Sequence, residues 1–207
     1  DTRNWFSGQK ILISPISVGE VEETTQFLGV SLTKDQIKSA PPLDFNAPVS
    51  RQYEIIFNQY NDWGNYWEGH MIWGHFLYPR LLKRTEELRS KVADVEKKSH
   101  LRSVKEVCLY CVSAIDRDIG QINDFIVDEE TWAIRYLVIN TNKCPPEGKV
   151  IILPPQHISR VDWRKGFAIM EVSSDIIRNS PKYNPAHALD RQYEKDLYDH
   201  YNIPYYW

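Results

Sequence analysis

The segment "QINDFIVDEETWAIRYLVIN", from Gln121 to Asn140, decides the fold of this chain. Two runs rich in β-branched and aromatic residues flank a polar tip at Glu129 and Glu130, a pattern that predicts an antiparallel hairpin. Turn residues separate it from further runs of the same kind: "SVKEVCLYCVSAID" from Ser103, "KVIILP" from Lys149, "HISRVDW" from His157 and "GFAIMEV" from Gly166. Five or six short strands with this spacing predict a small barrel or sandwich.

Two helices are predicted after these strands. "SSDIIRNSP" begins with a capping candidate, Ser173, and ends at a proline, which allows one or two helical turns. Asp190 is the predicted N-cap of a longer helix that runs to about Tyr201. Tyr193, Leu197 and Tyr201 recur at i, i+4 and i+8, so we expect this face of the helix to pack on the sheet.

The chain contains a long internal repeat. "RQYEIIFNQYNDWGNYW" (Arg51–Trp67) matches "RQYEKDLYDHYNIPYYW" (Arg191–Trp207) at a shift of about 140 positions. A match of this length predicts a duplicated domain. We therefore predict a first repeat at 1–67, an aromatic and helical linker at 68–100 and a second repeat at 101–207.

The first repeat is expected to be incomplete. The second repeat begins near Leu101, so its counterpart would begin roughly forty residues before Asp1. We expect the first repeat to lack its opening strands, either because they were lost or because they lie outside this sequence. An open strand edge promotes aggregation. We therefore expect it to be covered by residues outside the sequence, by the second repeat or by a neighbouring copy.

Taken together, the predicted strand segments resemble a known domain family. The segment "LRSVKEV…IGQINDFIVDEETWAIRYLVINT…GKVIILPP…ISRVDW", from Leu101 to Trp163, resembles the PRC-barrel domain. That domain is shared by the cytoplasmic part of the photosynthetic reaction-centre H subunit and by a ribosome maturation factor, and a nearer likeness is to stand-alone bacterial proteins with two such barrels. The resemblance implies a mainly β fold with short helices: two small PRC-type β-barrels, the first truncated at its N-terminus, each followed by a C-terminal helix and an aromatic tail. It also implies a cytoplasmic adaptor without established enzymatic activity.

Cys108 and Cys111 have Cys-x-x-Cys spacing, and they fall where PRC-barrel proteins more often have polar residues. Cys144 stands where the first repeat has Trp5. In a redox motif the cysteine pair lies at a helix N-terminus, where the dipole lowers a thiol pKa. Cys108 and Cys111 instead lie in a predicted strand, whose side chains alternate between faces. We therefore expect them to share neither a metal nor a disulfide.

The linker from Glu68 to His100 is predicted to be helical from Pro79 onward. Leu81, Leu88 and Val95 recur at heptad spacing, which fits a short coiled-coil seam or a helix lying on one barrel. We prefer the second interpretation because sustained coiled coils need at least three heptads. A groove on the first repeat is expected to hold the aromatic residues before the helix, which are Trp73, Phe76 and Tyr78.

Composition excludes several classes of protein. The formal net charge is -3, without a basic stripe, which excludes a phosphate-tracking DNA binder and argues against RNA. No apolar run approaches the roughly 20 residues of a membrane helix, and no basic-then-apolar leader indicates export. The cysteine count is 3, an odd number that argues against a disulfide framework and for a reducing cytosol. We therefore expect a cytoplasmic protein without a membrane span.

No sequence pattern indicates catalysis, a metal or a cofactor. His70 and His75 lack cysteine or carboxylate neighbours at ligand spacing. Asp128, Glu129 and Glu130 lie at the hairpin tip, where solvation accounts for them. The sequence contains no glycine-rich phosphate-binding loop, no nucleophile elbow and no Ser, His and Asp in the order of a catalytic triad. We therefore expect a non-enzymatic protein with no catalytic, metal-binding or cofactor-binding residues.

The duplicated tails supply the candidate interaction residues. Clustered Tyr, Trp and Arg are typical of interface hot spots, but Arg and Glu three apart on a helix also form ordinary surface pairs. Each tail either binds a partner or locks onto its own barrel, and we prefer the second interpretation. The candidates are Arg51, Tyr53, Glu54, Tyr66, Trp67, Arg191, Tyr193, Glu194, Tyr205, Tyr206 and Trp207.

The leading hypothesis is a PRC-barrel adaptor or scaffold that binds another protein, or itself as a homo-oligomer. The alternative, by family analogy, is a cytoplasmic component of photosynthetic reaction-centre or electron-transport complexes, although fold likeness alone does not transfer function. A further alternative is RNA binding related to ribosome maturation. The excess of acidic over basic residues argues against it. A small-molecule-binding or enzymatic domain would need a pocket with convergent polar groups.

Overall fold

The structure is a computed structural model that describes residues 11–22, 27–44, 48–82, 101–141 and 149–207. The chain divides into two units. Unit 1 comprises Asp1–Arg102 with Asp128–Ala133, and unit 2 comprises Ser103–Val127 with Ile134–Trp207. The regular elements among the described residues are short strands and short helices, which confirms the prediction of a sheet-rich fold with short helices.

Unit 1 contains a two-stranded antiparallel sheet and two α-helices among its described residues. Helix α1 begins at a capping box, in which Thr33 Oγ1 accepts a bond from Gln36 N and Gln36 Oε1 accepts one from Thr33 N. The described elements, in chain order, are a 3-10 turn (Pro15–Ser17), β1 (Val18–Glu22), β2 (Phe27–Val30), α1 (Lys34–Lys38), α2 (Arg51–Asn61) and a second 3-10 turn (Pro79–Leu82).

Unit 2 is built on a six-stranded sheet with the order β6-β5-β4-β3-β8-β7. All neighbouring strands are antiparallel except β3 and β8, which are parallel. Strands β4 and β5 pair Phe125 with Leu137 and Ile122 with Ile139, which confirms the predicted hairpin. The elements are α3 (Val104–Val107), β3 (Cys111–Ser113), β4 (Asp118–Val127), β5 (Ile134–Asn140), β6 (Val150–Leu153), a 3-10 turn (Pro155–His157), β7 (Ile158–Asp162), β8 (Phe167–Met170), α4 (Ser174–Arg178) and α5 (Arg191–Tyr201).

The core of unit 2 contains both the sheet and one face of α5. Helix α5 begins at Asp190, whose carboxylate accepts a hydrogen bond from Tyr193 N at 2.7 Å, as predicted. Leu197 and Tyr201 are buried in the same cluster as the central strands, and Tyr193 packs against that cluster. The predicted apolar face of the helix is therefore confirmed. Tyr198 is also fully buried, one residue outside the predicted stripe.

Two predictions about the sheet need correction. The strand order ends at β6 and β7, and no ladder of described residues joins these edges, so a closed barrel is not observed. The predicted opening strand from Ser103 is wrong in its first half, because Val104–Val107 forms a helical turn before β3. This turn places Val107 against the core while Val104 stays exposed, so tertiary packing overrides the β-propensity of valine.

A helical turn begins at Pro79, where the linker helix was predicted to begin. It is a 3-10 turn that ends at Leu82. Residues 83–100, which include the predicted heptad positions Leu88 and Val95, lie outside the described residues, as do Trp5 and Cys144.

The elements of unit 1 recur in unit 2 at the shift found in the sequence. Strands β1 and β2 correspond to β7 and β8, α1 corresponds to α4, and α2 corresponds to α5. Both long helices end in a left-handed residue, Asp62 (φ 56°) and Asn202 (φ 52°). The same local structure is therefore built twice from related sequences.

The longest described helices, α2 and α5, have 11 residues each. A hydrocarbon core about 30 Å thick needs about 20 helical residues. Within the described ranges, no helix combines the length and apolar character that a bilayer crossing requires.

Candidate interaction site

The first turn of each long helix carries the arginine and glutamate shared by the two repeats. In α2, Ser50 is the N-cap and its hydroxyl accepts a hydrogen bond from Tyr53 N at 3.1 Å. At the C-terminal end of α2, Asp62 has a left-handed conformation and redirects the chain, as is usual at helix C-termini. The aromatic tail then runs back to the first turn, where Arg51 contacts Tyr66 and Trp67.

The first aromatic cluster consists of Arg51, Glu54, Tyr66 and Trp67. Arg51 Nη1 lies 2.9 Å from Glu54 Oε2, and Tyr66 donates its hydroxyl proton to Glu54 Oε1 at 2.8 Å. The Arg51 guanidinium carbon lies 3.8 Å from the centre of the Trp67 ring, a cation–π distance. The Arg51 guanidinium thus contacts both the Glu54 carboxylate and the face of the Trp67 ring, which offsets the cost of burying its charge.

The second aromatic cluster consists of Arg191, Glu194, Tyr206 and Trp207, and it repeats these contacts. Arg191 Nη1 lies 2.9 Å from Glu194 Oε2, Tyr206 donates to Glu194 Oε1 at 2.9 Å, and the guanidinium lies 4.4 Å from the Trp207 ring centre. Tyr136 of β5 adds a hydrogen bond to Glu194 Oε1 at 2.7 Å. The buried Glu194 carboxylate therefore fixes the tail, the helix and the sheet to one another.

The tyrosine hydroxyls remain protonated hydrogen-bond donors at neutral pH. Burial, with the Glu54 charge as the next cause, raises the pKa of Tyr66 to about 12. Burial also raises the pKa of Tyr136 and of Tyr206, and the hydrogen bond of each to Glu194 adds to this effect. These shifts favour the hydroxyl form because an ionised phenolate beside a carboxylate would be repelled.

The two clusters differ in how much of the arginine reaches solvent. The side chain of Arg51 is 8% exposed, whereas that of Arg191 is 58% exposed. Tyr205 and Trp207 are 41% and 47% exposed, and their rings stack at a centroid distance of 4.7 Å. The second cluster and the adjacent Tyr205 thus present a guanidinium and two aromatic rings together at the surface.

In unit 1 the chain that follows the tail packs against it. Gly64 N donates to Leu82 O at 3.3 Å, and the Leu82 side chain is buried. The Trp73 ring lies 5.9 Å from the Tyr66 ring, so part of the predicted aromatic packing on the first repeat is present. The corresponding tail of unit 2 has Pro204 in place of Gly64, and proline has no N–H to donate.

Three predicted site residues lie beside the clusters rather than in them. Tyr53 donates to Pro41 O at 2.9 Å and Tyr193 donates to Pro181 O at 3.2 Å, so both anchor the helix to the preceding extended segment. Tyr205 stacks on Trp207 and donates to Asp199. The remaining eight predicted residues form the two clusters.

Two residues of β5, neither of them among the predicted candidates, also contact the second cluster. Tyr136 bonds to Glu194, and the guanidinium carbon of Arg135 lies 3.9 Å from the centre of the Tyr206 ring. A signal for Tyr136 was present, because a tyrosine within the buried run "YLVI" needs a partner for its hydroxyl. The sequence carried no comparable signal for Arg135.

Cys108 and Cys111 do not lie in one strand, so the prediction that both belong to a strand is wrong. Cys108 is the C-cap of α3, and Cys111 begins β3. Both are free thiols, and burial, followed by the charge of Asp124, raises the pKa of Cys108. Among residues with described positions, no group of three or more His, Cys, Asp or Glu is placed to hold a metal.

No family profile matches this chain, and no curated protein matches it.

Proposed function

We propose that this chain is a non-enzymatic adaptor related to PRC-barrel proteins, which binds a partner protein through its second aromatic cluster together with Tyr205. The observation that carries the proposal is the joint exposure of Arg191, Tyr205 and Trp207. Arginine, tyrosine and tryptophan are the residues most enriched at the energetic centres of protein interfaces. A solvent-facing group of all three therefore fits a docking surface.

The comparison between the repeats supports the same conclusion. The first cluster has the same contacts but an almost fully buried arginine. The contacts alone therefore account for anchoring the tail, and anchoring does not require the exposure of Arg191. The rings of Tyr205 and Trp207 are also held in place by their stacking and by the Tyr205 bond to Asp199, so little side-chain freedom is lost when a partner binds.

The test is a quantitative affinity capture from native lysate, followed by affinity measurement with the captured partner. We expect Trp207→Ala to weaken partner binding by about thirtyfold, the effect of removing one hot-spot residue. Trp67→Ala is the matched control, because it removes the same ring from the first cluster. Thermal unfolding of each variant checks that it remains folded.

Partner binding that persists unchanged in Trp207→Ala would refute the proposal and leave the second cluster as a structural anchor. Equal losses in Trp67→Ala and Trp207→Ala would refute it as well, because the exposed cluster would then have no special role. Ile176→Ala, which removes an exposed apolar side chain elsewhere in unit 2, should leave binding unchanged.

A further inference from the structure

We propose that His157 forms an acid-sensitive switch: its neutral imidazole packs against the last turn of α5, and protonation of the ring in mildly acidic solution releases that turn from the sheet. The contacts that carry this inference all lie within unit 2. They involve no partner protein, so this inference and the proposed function can fail separately.

His157 lies where the sheet meets the C-terminal end of α5. It ends the 3-10 turn between β6 and β7, and its carbonyl accepts a hydrogen bond from Glu171 N at 2.8 Å. Its ring centre lies 5.2 Å from that of Tyr201, the last residue of α5, which is buried. The imidazole therefore links a turn of the sheet to the last turn of the helix.

The buried nitrogen of the imidazole suits the neutral ring. Nε2 of His157 has no hydrogen-bond partner within the described part of the chain. A neutral imidazole with its proton on Nδ1 has only an acceptor at Nε2, whereas an imidazolium carries an N–H on both nitrogens. Protonation therefore creates a buried donor without an acceptor, together with a partly buried charge, and both are unfavourable.

The groups that face the imidazole do not reverse this preference. Burial lowers the pKa of His157, and the charge of Glu171, an exposed residue after β8, opposes this to a smaller extent. Tyr201 of α5 remains a neutral phenol because burial raises its pKa. The ring of His200 also packs on Tyr201, with its Nε2 at 2.8 Å from Ile176 O. The folded state therefore favours the neutral form of His157.

The first repeat shows that this backbone position does not require an imidazole. Ser17 is the counterpart of His157, because Ser31 N donates to Ser17 O as Glu171 N donates to His157 O. The Ser17 hydroxyl donates to Ser14 O at 2.8 Å. The same backbone contact thus forms around a side chain that does not titrate, which confines the proposed response to the second repeat.

Release of the last turn of α5 would disturb the second aromatic cluster. Tyr198 lies in this turn, and its ring is 5.9 Å from the Tyr206 ring and 5.4 Å from the Trp207 ring. The chain also leaves the helix here, where Ile203 N donates to Tyr198 O at 3.2 Å. Loss of the contact between His157 and Tyr201 therefore loosens the point from which the tail turns back.

The direction of the pH response follows from the lowered pKa. An unfolded histidine titrates near ~6.5. Because the pKa of His157 is lower than this in the folded state, its contribution to stability is complete above about 6.5 and is lost as the pH falls through the folded pKa. The switch therefore acts in mildly acidic solution.

Native-state amide exchange of the full chain at about pH 7.5 and about pH 5, corrected for the intrinsic pH dependence of exchange, tests the switch. On acidification we expect the amides of Leu197 and Tyr201 in α5 to lose about tenfold more protection than those of Ile139 and Ile151 in the sheet. Tenfold is the effect of one buried donor without an acceptor.

Two variants assign the response to one imidazole. His157→Phe keeps a ring against Tyr201 but cannot be protonated, so it should abolish the difference between helix and sheet. His200→Gln is the matched control, because it removes the other imidazole that contacts Tyr201, and it should retain the difference.

An NMR titration of the His157 ring in the unaltered chain keeps the test decisive if His157→Phe does not fold. We expect a midpoint below ~6.5 that coincides with the loss of protection in α5. Equal losses in helix and sheet, a response that persists in His157→Phe, or a His157 midpoint at or above ~6.5 would each overturn the proposal.

Discussion

The hydrogen bond from Tyr136 to Glu194 leads to the most direct prediction about stability. Tyr136→Phe removes one hydroxyl and leaves a buried carboxylate with fewer donors. Hydrogen bonds to charged groups contribute about 1.5–3 kcal/mol, so we expect unit 2 to lose about 2 kcal/mol. Tyr193→Phe is the matched control, because its hydroxyl bonds to a neutral carbonyl at a longer distance, 3.2 Å, and should cost about 1 kcal/mol.

Native-state amide exchange measures this loss in unit 2 specifically. Ile139 of β5 and Ile151 of β6 are paired and fully buried, so their amides report opening of the part of the sheet that contains Tyr136. A loss of about 2 kcal/mol accelerates their exchange about thirtyfold. If Tyr136→Phe changes exchange no more than Tyr193→Phe does, Glu194 does not couple the sheet to the tail. Adding Glu194→Gln to Tyr136→Phe should give a non-additive loss.

Two other predictions concern pH and packing. Hydrogen bonds from Ser174, to Asp116 Oδ1 at 2.7 Å and to Oδ2 at 2.5 Å, lower the pKa of Asp116 to about 2. An unfolded aspartate titrates near ~3.9, so this stabilisation is complete above that pH and is lost as the pH falls through about 2. Asp116→Asn should therefore reduce the acid sensitivity between those values in acid unfolding followed by circular dichroism, and an unchanged acid profile would contradict this. Gly120→Ala should cost about 1–3 kcal/mol in urea unfolding, because its Cβ would lie 2.3 Å from Asn140 O. Gly29→Ala meets no atom within 4 Å and should be nearly neutral, so equal effects of the two substitutions would refute the packing argument.

Features determined by local sequence were predictable. The β4–β5 hairpin follows from alternating β-branched residues around a polar tip, and α5 follows from a capping aspartate and a regular apolar face. The pairing of Arg191 with Glu194 was expected from their helical spacing. In each case the interacting residues lie close together in the sequence, so pattern and propensity agree with the final structure.

Features determined by distant contacts were not predictable. The helical turn at Val104–Val107 depends on the core that Val107 joins, which its valine content does not reveal. The sequence places Arg51 and Arg191 in nearly identical contexts, yet their exposures differ. Burial depends on what packs around each cluster, and a repeated motif contains no information about those surroundings.

The replacement of Gly64 by Pro204 gives the second tail a different kind of selectivity. At Gly64 the main chain supplies a donor that Leu82 O accepts, and this contact does not depend on the side chain of either residue. At Pro204 this generic contact is lost. Without that N–H, contacts at this point of the second tail depend more on the shape, charge and ring chemistry of side chains. One difference between the two similar tails thus replaces a sequence-independent contact with a sequence-dependent one.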